Sequence, residues 1–370
     1  MKIALFVPII DQPGGTEIGT WRLAECLAQR GHQVTIISTQ AVSQWQKHLS
    51  IFDYTKEFRL VRLPVWQRSR RVFANMLTAQ VLWACPMLMR DTQIMHLRGL
   101  TVESLALARI AQWNGISTLC VPMASGDYGD VAMFPPNISK NYAAFNWISA
   151  LTQPLRTEVI DWGFPAHKTG VIPNGININR FKPAEHRINE ARVIFVGQFR
   201  PEKRIDLLLN AWVQVQTECP HAHLTLVGGG QHIDYYQQMA AKLGLSPTFI
   251  PNTDTSQVLT NLQASSIFVM PGISEGMSNA LLEAMAVGLA PVVADTPANR
   301  AVITPEIDGL CYNSASSEAL AIQLRRLITN VELRQHIGEA ARQTVVQRFN
   351  LETVTEQYLA LYAQLLGEKR

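Results

Sequence analysis

The 370-residue chain is 47% hydrophobic and 16% charged, which is enough apolar material for two cores of ordinary size, and its formal charge of +3 gives no ground for a nucleic-acid partner. Its five cysteines, Cys26, Cys85, Cys120, Cys219 and Cys311, are scattered, odd in number and lack C-x-x-C spacing, which argues against a disulfide framework or a zinc site and fits a reducing cytoplasm. No stretch reaches the ~18 uninterrupted apolar residues of a membrane span, so a soluble or peripheral protein is expected.

The opening MKIALFVPII runs directly into Asp11-Gln12-Pro13-Gly14-Gly15 and reads as a first strand rather than a signal peptide. Gly14-Gly15-Thr16-Glu17 is then a glycine turn into a helix with Leu23, Cys26 and Leu27 on one face and Gly31 just past its end, and Val34–Ile37 is the second strand. From Lys56 to Phe73 five arginines (Arg59, Arg62, Arg68, Arg70, Arg71) alternate with Phe58, Trp66 and Phe73. Such a segment suits an anionic membrane surface or an anionic acceptor; the plainer alternative is a strand over Phe58–Leu63, broken at Pro64, followed by a solvated helix start. Gln93–Leu97 and Thr118–Val121 read as further strands, the second followed by Pro122-Met123-Ala124-Ser125-Gly126-Asp127. His96, alone on its strand, is more often a structural residue than a functional one.

A polar segment, Lys182–Glu190, is the natural linker to a second half that restarts the α/β pattern at Arg192–Val196. Gly197-Gln198-Phe199-Arg200-Pro201-Glu202-Lys203 follows that strand and puts cations where a diphosphate could be neutralised. Leu224–Val227 ends in Gly228-Gly229-Gly230, and Phe249-Ile250-Pro251 closes another short strand. The apolar run Ile267–Met270 stops at Pro271-Gly272. Ser278-Asn279 then caps a helix through Leu281, Leu282, Met285 and Ala286, and Ala290–Ala294 is the next strand, giving a βαβ unit. Glu275 falls in the loop and Glu283 a turn into the helix, so a ligand spanning the two would meet one carboxylate at each end, and hydroxyls suit carboxylates. A final amphipathic helix carries Val354, Tyr358, Leu361 and Leu365.

The run Ser274-Glu275-Gly276-x-Ser278-x-x-Leu281-Leu282-Glu283-Ala284 resembles the E-x7-E signature of family-four retaining glycosyltransferases, which have the GT-B fold. The resemblance implies that Glu275 contacts the donor hexose, Glu283 the nucleotide ribose, and the backbone of Gly276, Met277, Ser278 and Asn279 the sugar and diphosphate. It extends to Gly15, Gly197 and Gly229 at the donor, to Ile250 beside the base, and to Val171-Ile172-Pro173-Asn174-Gly175-Ile176-Asn177 as the hinge, with Asn177 where the family usually has aspartate. It also implies that Lys203 and Arg200 neutralise the leaving diphosphate. The sequence departs from the family pattern at Gln198, where an arginine is usual, and at Ala124-Ser125-Gly126, where many members have a histidine.

The expected architecture is α/β, with two Rossmann-like doubly wound domains facing a central cleft: residues 1–185 for the acceptor, 186–345 for the nucleotide sugar, and a helix over 346–370 crossing back to the first. The expected activity is hexose transfer from a nucleotide-diphosphate sugar to a glycan or lipid-linked acceptor, with no metal or other cofactor. Ser125, Asp127, Arg68, Arg70 and Arg71 are assigned to the acceptor side, and the setting is cytoplasmic, peripheral on the inner face of the membrane. A nucleotide-sugar epimerase and a non-catalytic sugar- or lipid-binding scaffold are the rival readings.

Overall fold

Short apolar runs separated by helix-length amphipathic segments build parallel sheets, and both halves of this chain do so. The computed structural model describes residues 1–9, 14–41, 52–54, 57–65, 89, 91–123, 142–185, 190–251, 255–273 and 276–367. In chain order the elements are β1 (Lys2–Ile9), α1 (Gly15–Gln29), β2 (Gln33–Ala41), β3 (Phe52–Tyr54), β4 (Arg59–Val65), β5 (Ile94–Arg98), α2 (Val102–Trp113), β6 (Ser117–Val121), β7 (Trp147–Ala150), α3 (Gln153–Asp161) and β8 (Thr169–Val171). The second half continues with β9 (Arg192–Val196), α4 (Ile205–Glu218), β10 (His223–Val227), α5 (Ile233–Lys242), β11 (Thr248–Ile250), α6 (Thr255–Gln263) and β12 (Ile267–Met270). It closes with α7 (Asn279–Val287), β13 (Ala290–Ala294), α8 (Pro297–Arg300), β14 (Leu310–Tyr312), α9 (Ser317–Thr329), α10 (Val331–Arg348) and α11 (Leu351–Gly367).

The chain divides into two units, one of Met1–Gly175 with Leu351–Arg370 and one of Ile176–Asn350. By this division the chain passes from one unit to the other between Gly175 and Ile176, ahead of the polar segment at 182–190. The residues just after Gly175 are already tied into the second unit: the Ile176 amide donates to Phe349 O at 2.8 Å, and Gln263 Nε2 donates to Lys182 O at 2.9 Å. Gly175 itself lies against the returning chain, where a Cβ would come within 2.8 Å of Leu351 Cα.

The first unit holds an eight-stranded sheet in the order β3-β4-β2-β1-β5-β6-β7-β8, parallel except for the β3–β4 pair. Pro64 does not end β4, which pairs with β2 as far as Val65. Among the described residues β3 pairs with β4 only over Arg59–Val61, and Pro64 lies beyond those pairs, where a missing N–H costs no bond to β3. One face buries Phe6, Met95, Leu97, Cys120 and Ile148 against Leu107 and Ala111 of α2. On the other face α11 covers β5 and β6, with the Ser117 hydroxyl donating to Leu365 O at 3.1 Å. The same helix is tied to α1 by Arg30, which pairs with Glu352 and with Glu356.

The second unit holds a six-stranded sheet, β11-β10-β9-β12-β13-β14, with every adjacent pair parallel. Phe195, Leu226 and Val292 pack with Leu208 and Trp212 of α4 and Leu324 of α9 on one face. On the other, α10 meets the end of α7 so closely that a Cβ on Gly338 would lie 2.3 Å from Gly288 O. No described helix is long and apolar enough to cross a membrane.

Candidate functional site

The strand order of the second sheet fixes where a ligand can sit. From β9 the chain moves outward to β10 and β11, and from β12 it moves the opposite way to β13 and β14, so a crevice opens between the carboxyl ends of β9 and β12. Three segments meet there: 197–204 after β9, 228–230 after β10, and 271–273 with 276–278 after β12.

Backbone hydrogen bonds hold the first two together. The Gly197 amide donates to Val227 O at 3.0 Å, Phe199 to Gly229 O at 2.7 Å, and Gly228 to Ile250 O at 3.0 Å. Gly228 has φ +136°, and a Cβ there would sit 1.9 Å from Gly197 O, so only glycine lets these two turns touch. Phe199 pins the turn from below, buried edge-on against Tyr236 and Phe249 at 6.1 Å each. Beyond it Arg200 is mostly exposed, 3.9 Å from Glu202, and a 3-10 turn over Pro201–Lys203 leads into α4. That turn rests on the third segment: the Ile273 amide donates to Glu202 O at 3.4 Å, and a Cβ on Gly272 would lie 3.5 Å from Lys203 Cα. Pro271 O accepts from the Tyr312 hydroxyl at 3.3 Å, which fixes the root of the loop.

Helix α7 starts at the crevice. Ser278 is its N-cap, the hydroxyl accepting from the Leu281 amide at 3.3 Å, so the positive end of the helix faces the strand ends. Gly276, Met277 and Asn279 are buried. Glu283 is only 6% exposed, which replaces the solvated helix glutamate that its spacing alone would allow. At the far end Gly288 adopts φ +87° and Arg342 donates to Ala286 O, closing off the carbonyls.

Of the residues expected at a donor site, Gly197, Arg200, Lys203, Gly229, Ile250, Gly276, Met277, Ser278 and Asn279 are gathered around this crevice, with Glu283 a turn along α7. Gly15 belongs to the first unit, where it opens α1. Glu275, Ser125, Asp127, Arg68, Arg70 and Arg71 lie outside the described residues.

Two family models match this chain one after the other: the one described as Glycosyltransferase Family 4 over residues 13–180, and the one described as Glycosyl transferases group 1 over residues 178–344. The chain belongs to the group 1, family 4 glycosyltransferases. A phosphatidyl-myo-inositol mannosyltransferase of Mycobacterium tuberculosis is 24% identical over 99% of this glycosyltransferase and 98% of its own length. Among solved structures, sucrose-phosphate synthase of Thermosynechococcus elongatus superposes with a TM-score of 0.83 at 19% identity, covering all of both chains. HepE of Anabaena, in complex with UDP and glucose, gives 0.79 at 17% identity over 98% of this chain and 100% of its own. These likenesses establish the GT-B fold.

In its first unit the glycosyltransferase has a second switch point, between β1 and β5. The Gly14 amide donates to the Glu17 carboxylate at 3.0 Å as α1 begins, and Thr101 caps α2. Arg98, buried at the end of β5, donates to Asn174 Oδ1 at 3.0 Å. His96 is fully buried under α11, its Nδ1 2.6 Å from the Tyr362 hydroxyl and its ring 5.0 Å from that of Tyr358. Burial, reinforced by the Arg98 charge, holds its pKa well below the usual histidine value. His96 is therefore a neutral packing residue of the α11 interface. Sequence reading passed over two residues near the strand ends: Tyr312, whose reach to Pro271 spans two strands and leaves no local signal, and Arg204, whose position ahead of α4 after a 3-10 turn demands a left-handed residue.

Proposed function

We propose that this glycosyltransferase is a retaining hexosyltransferase that moves a hexose from a nucleotide-diphosphate sugar to a glycan or lipid-linked acceptor. The observation that carries the reading is the meeting, at the β9–β12 switch point, of two interlocked glycine turns, Lys203 and the N-terminus of α7. Glycine turns let a nucleotide lie against the backbone, and a helix N-terminus beside a lysine suits its diphosphate. In this reading the charge that builds on the leaving diphosphate falls to Lys203, Arg200 and the α7 dipole, with no cofactor beyond the sugar nucleotide itself. Glu275 contacts the hexose and Glu283 the ribose. The UDP and glucose held by HepE and the name of the mycobacterial relative support a hexose donor and a lipid-linked acceptor.

The acceptor is assigned to the first unit, with Ser125, Asp127, Arg68, Arg70 and Arg71 as its contacts and an anionic membrane surface as its setting on the cytoplasmic side. Purified protein screened against UDP-, GDP- and ADP-hexoses by thermal shift and slow hydrolysis tests the donor half, and no response to any of them would reject it. Glu275→Ala should abolish transfer while leaving the melting curve intact, and unaltered turnover would sink its assignment. The anomeric configuration of the product, read by NMR, decides retention. Flotation with anionic liposomes tests the membrane setting: Arg68, Arg70 and Arg71 replaced together should lose binding, and no binding by the parent would remove it.

A further inference from the structure

Among the described residues, two that are not glycine adopt a left-handed backbone, Arg204 at φ +53° and Glu306 at φ +66°. This conformation strains an L side chain, and asparagine or glycine would take it at less cost. For Glu306 the side chain supplies a compensation within the fold, since its carboxylate accepts from both ends of the Arg326 guanidinium at 2.9 and 2.8 Å. Among the described residues Arg204 has nothing comparable. Its side chain is 29% exposed and its ion pair with Asp206 is long at 3.9 Å.

The backbone at 204 is needed as it stands. The Lys203 amide donates to Arg200 O and the Arg204 amide to Pro201 O, each at 3.0 Å, and this tight turn is what sets Glu202 O to receive Ile273 N–H. Glycine would make the same turn. An arginine held there, directly after Lys203 and with its charge close to Tyr312, whose hydroxyl bonds Pro271 O at the root of the crevice loop, points to an anionic ligand.

We propose that Arg204 is a further donor-binding residue, contacting the diphosphate as an additional cation beside Lys203 and Arg200. The inference rests on the donor site proposed above.

The test compares the parent with Arg204→Gly, Arg204→Gln and Arg204→Lys, titrating each with UDP-glucose, GDP-mannose and ADP-glucose, and with inorganic pyrophosphate as a probe of the anionic part alone. Arg204→Gly relieves the backbone, so its melting temperature should be equal to or above the parent's. Its Kd for the donor that binds the parent should nonetheless rise about tenfold. Arg204→Gln, which keeps the left-handed side chain and lacks only the charge, should lose as much, whereas Arg204→Lys should stay within about threefold of the parent. The gap between parent and Arg204→Gln should narrow as salt is raised. Parent-like affinity in Arg204→Gln, within about twofold, overturns the contact whatever the melting curves show. A parent that binds no nucleotide sugar overturns this inference and the donor reading together, while a parent that binds alongside an unaffected Arg204→Gln overturns only this one.

Discussion

The interlock of the two glycine turns can be broken with one methyl group. In Gly228→Ala the new Cβ would stand 1.9 Å from the carbonyl oxygen of Gly197, with a further contact of 2.9 Å to Gly197 C. The obstructing atoms are backbone, so no rotamer change clears them. Two costs add. Holding alanine at φ +136° is worth roughly 1–3 kcal/mol, and forcing extra volume into a packed contact another 1–3 kcal/mol, for a total of about 2–6 kcal/mol. For a unit of the size of Ile176–Asn350 this corresponds to a fall in melting temperature of roughly 4–24 °C. The control is Gly244→Ala, also left-handed at φ +70° but with nothing within 4 Å of the added Cβ, which should cost about 1 kcal/mol and roughly 2–4 °C. Differential scanning calorimetry of both variants, with and without the donor that stabilises the parent, measures the difference. Gly228→Ala should also lose the donor-induced shift, because relief of the clash moves 197–199 away from 227–229. A Gly228→Ala protein that melts like Gly244→Ala and keeps the parent's donor shift would show that the two turns do not need to touch.

The remaining predictions concern the termini of the two switch points. Ser278→Ala removes the hydroxyl that accepts the Leu281 amide and should cost about 1 kcal/mol in urea unfolding, with weakened donor binding as a second effect. His96 supplies a pH dependence whose sign follows from its burial. Its folded pKa lies well below the ordinary value of 6.5, so as pH falls through that range the unfolded chain takes up a proton that the native protein refuses. Stability should therefore be full above about pH 7 and decline below it, by at most about 1.4 kcal/mol per pH unit. His96→Phe should shrink the difference between urea midpoints at pH 7 and pH 5, and an unchanged difference would place the effect elsewhere. His32, held below its ordinary value first by burial and then by the neighbouring N-terminal amine, supplies a smaller slope of the same sign that survives in the variant.

Local signals in the sequence were enough for most of the strands and for the glycine turns, but not for the short β3, β7, β8 and β14. Ile267–Met270 and Ala290–Ala294 are β12 and β13 without change of boundary, because continuous β-branched and apolar runs between Gly and Pro have few other ways to fold. The cap at Ser278 was equally legible, since serine ahead of an apolar 3.6-residue pattern has one efficient use. What the sequence did not carry were contacts between distant residues. Nothing near His96 announces Tyr362, 266 residues on, and without that partner a lone histidine stays ambiguous. Glu283 looked like either a ligand contact or a surface charge until the packing of α7 on both sides buried it. Pro64 reads as a strand breaker locally, and only its place beyond the described β3–β4 pairs shows why β4 can continue through it.

The path of the chain bears on how the protein is made. The second unit is one uninterrupted segment, whereas the first is completed by α11, which leaves the ribosome only after every residue of the second has been synthesised. Until then the face of the first sheet carrying His96, Arg98 and Ser117 has no Tyr358, Tyr362 or Leu365 over it. The nascent first unit therefore waits with an open flank while its neighbour is free to reach its native state, reversing the usual order in which N-terminal domains fold ahead of those behind them. In the cell that interval is where chaperone engagement belongs, and slowing translation within the second unit would lengthen it.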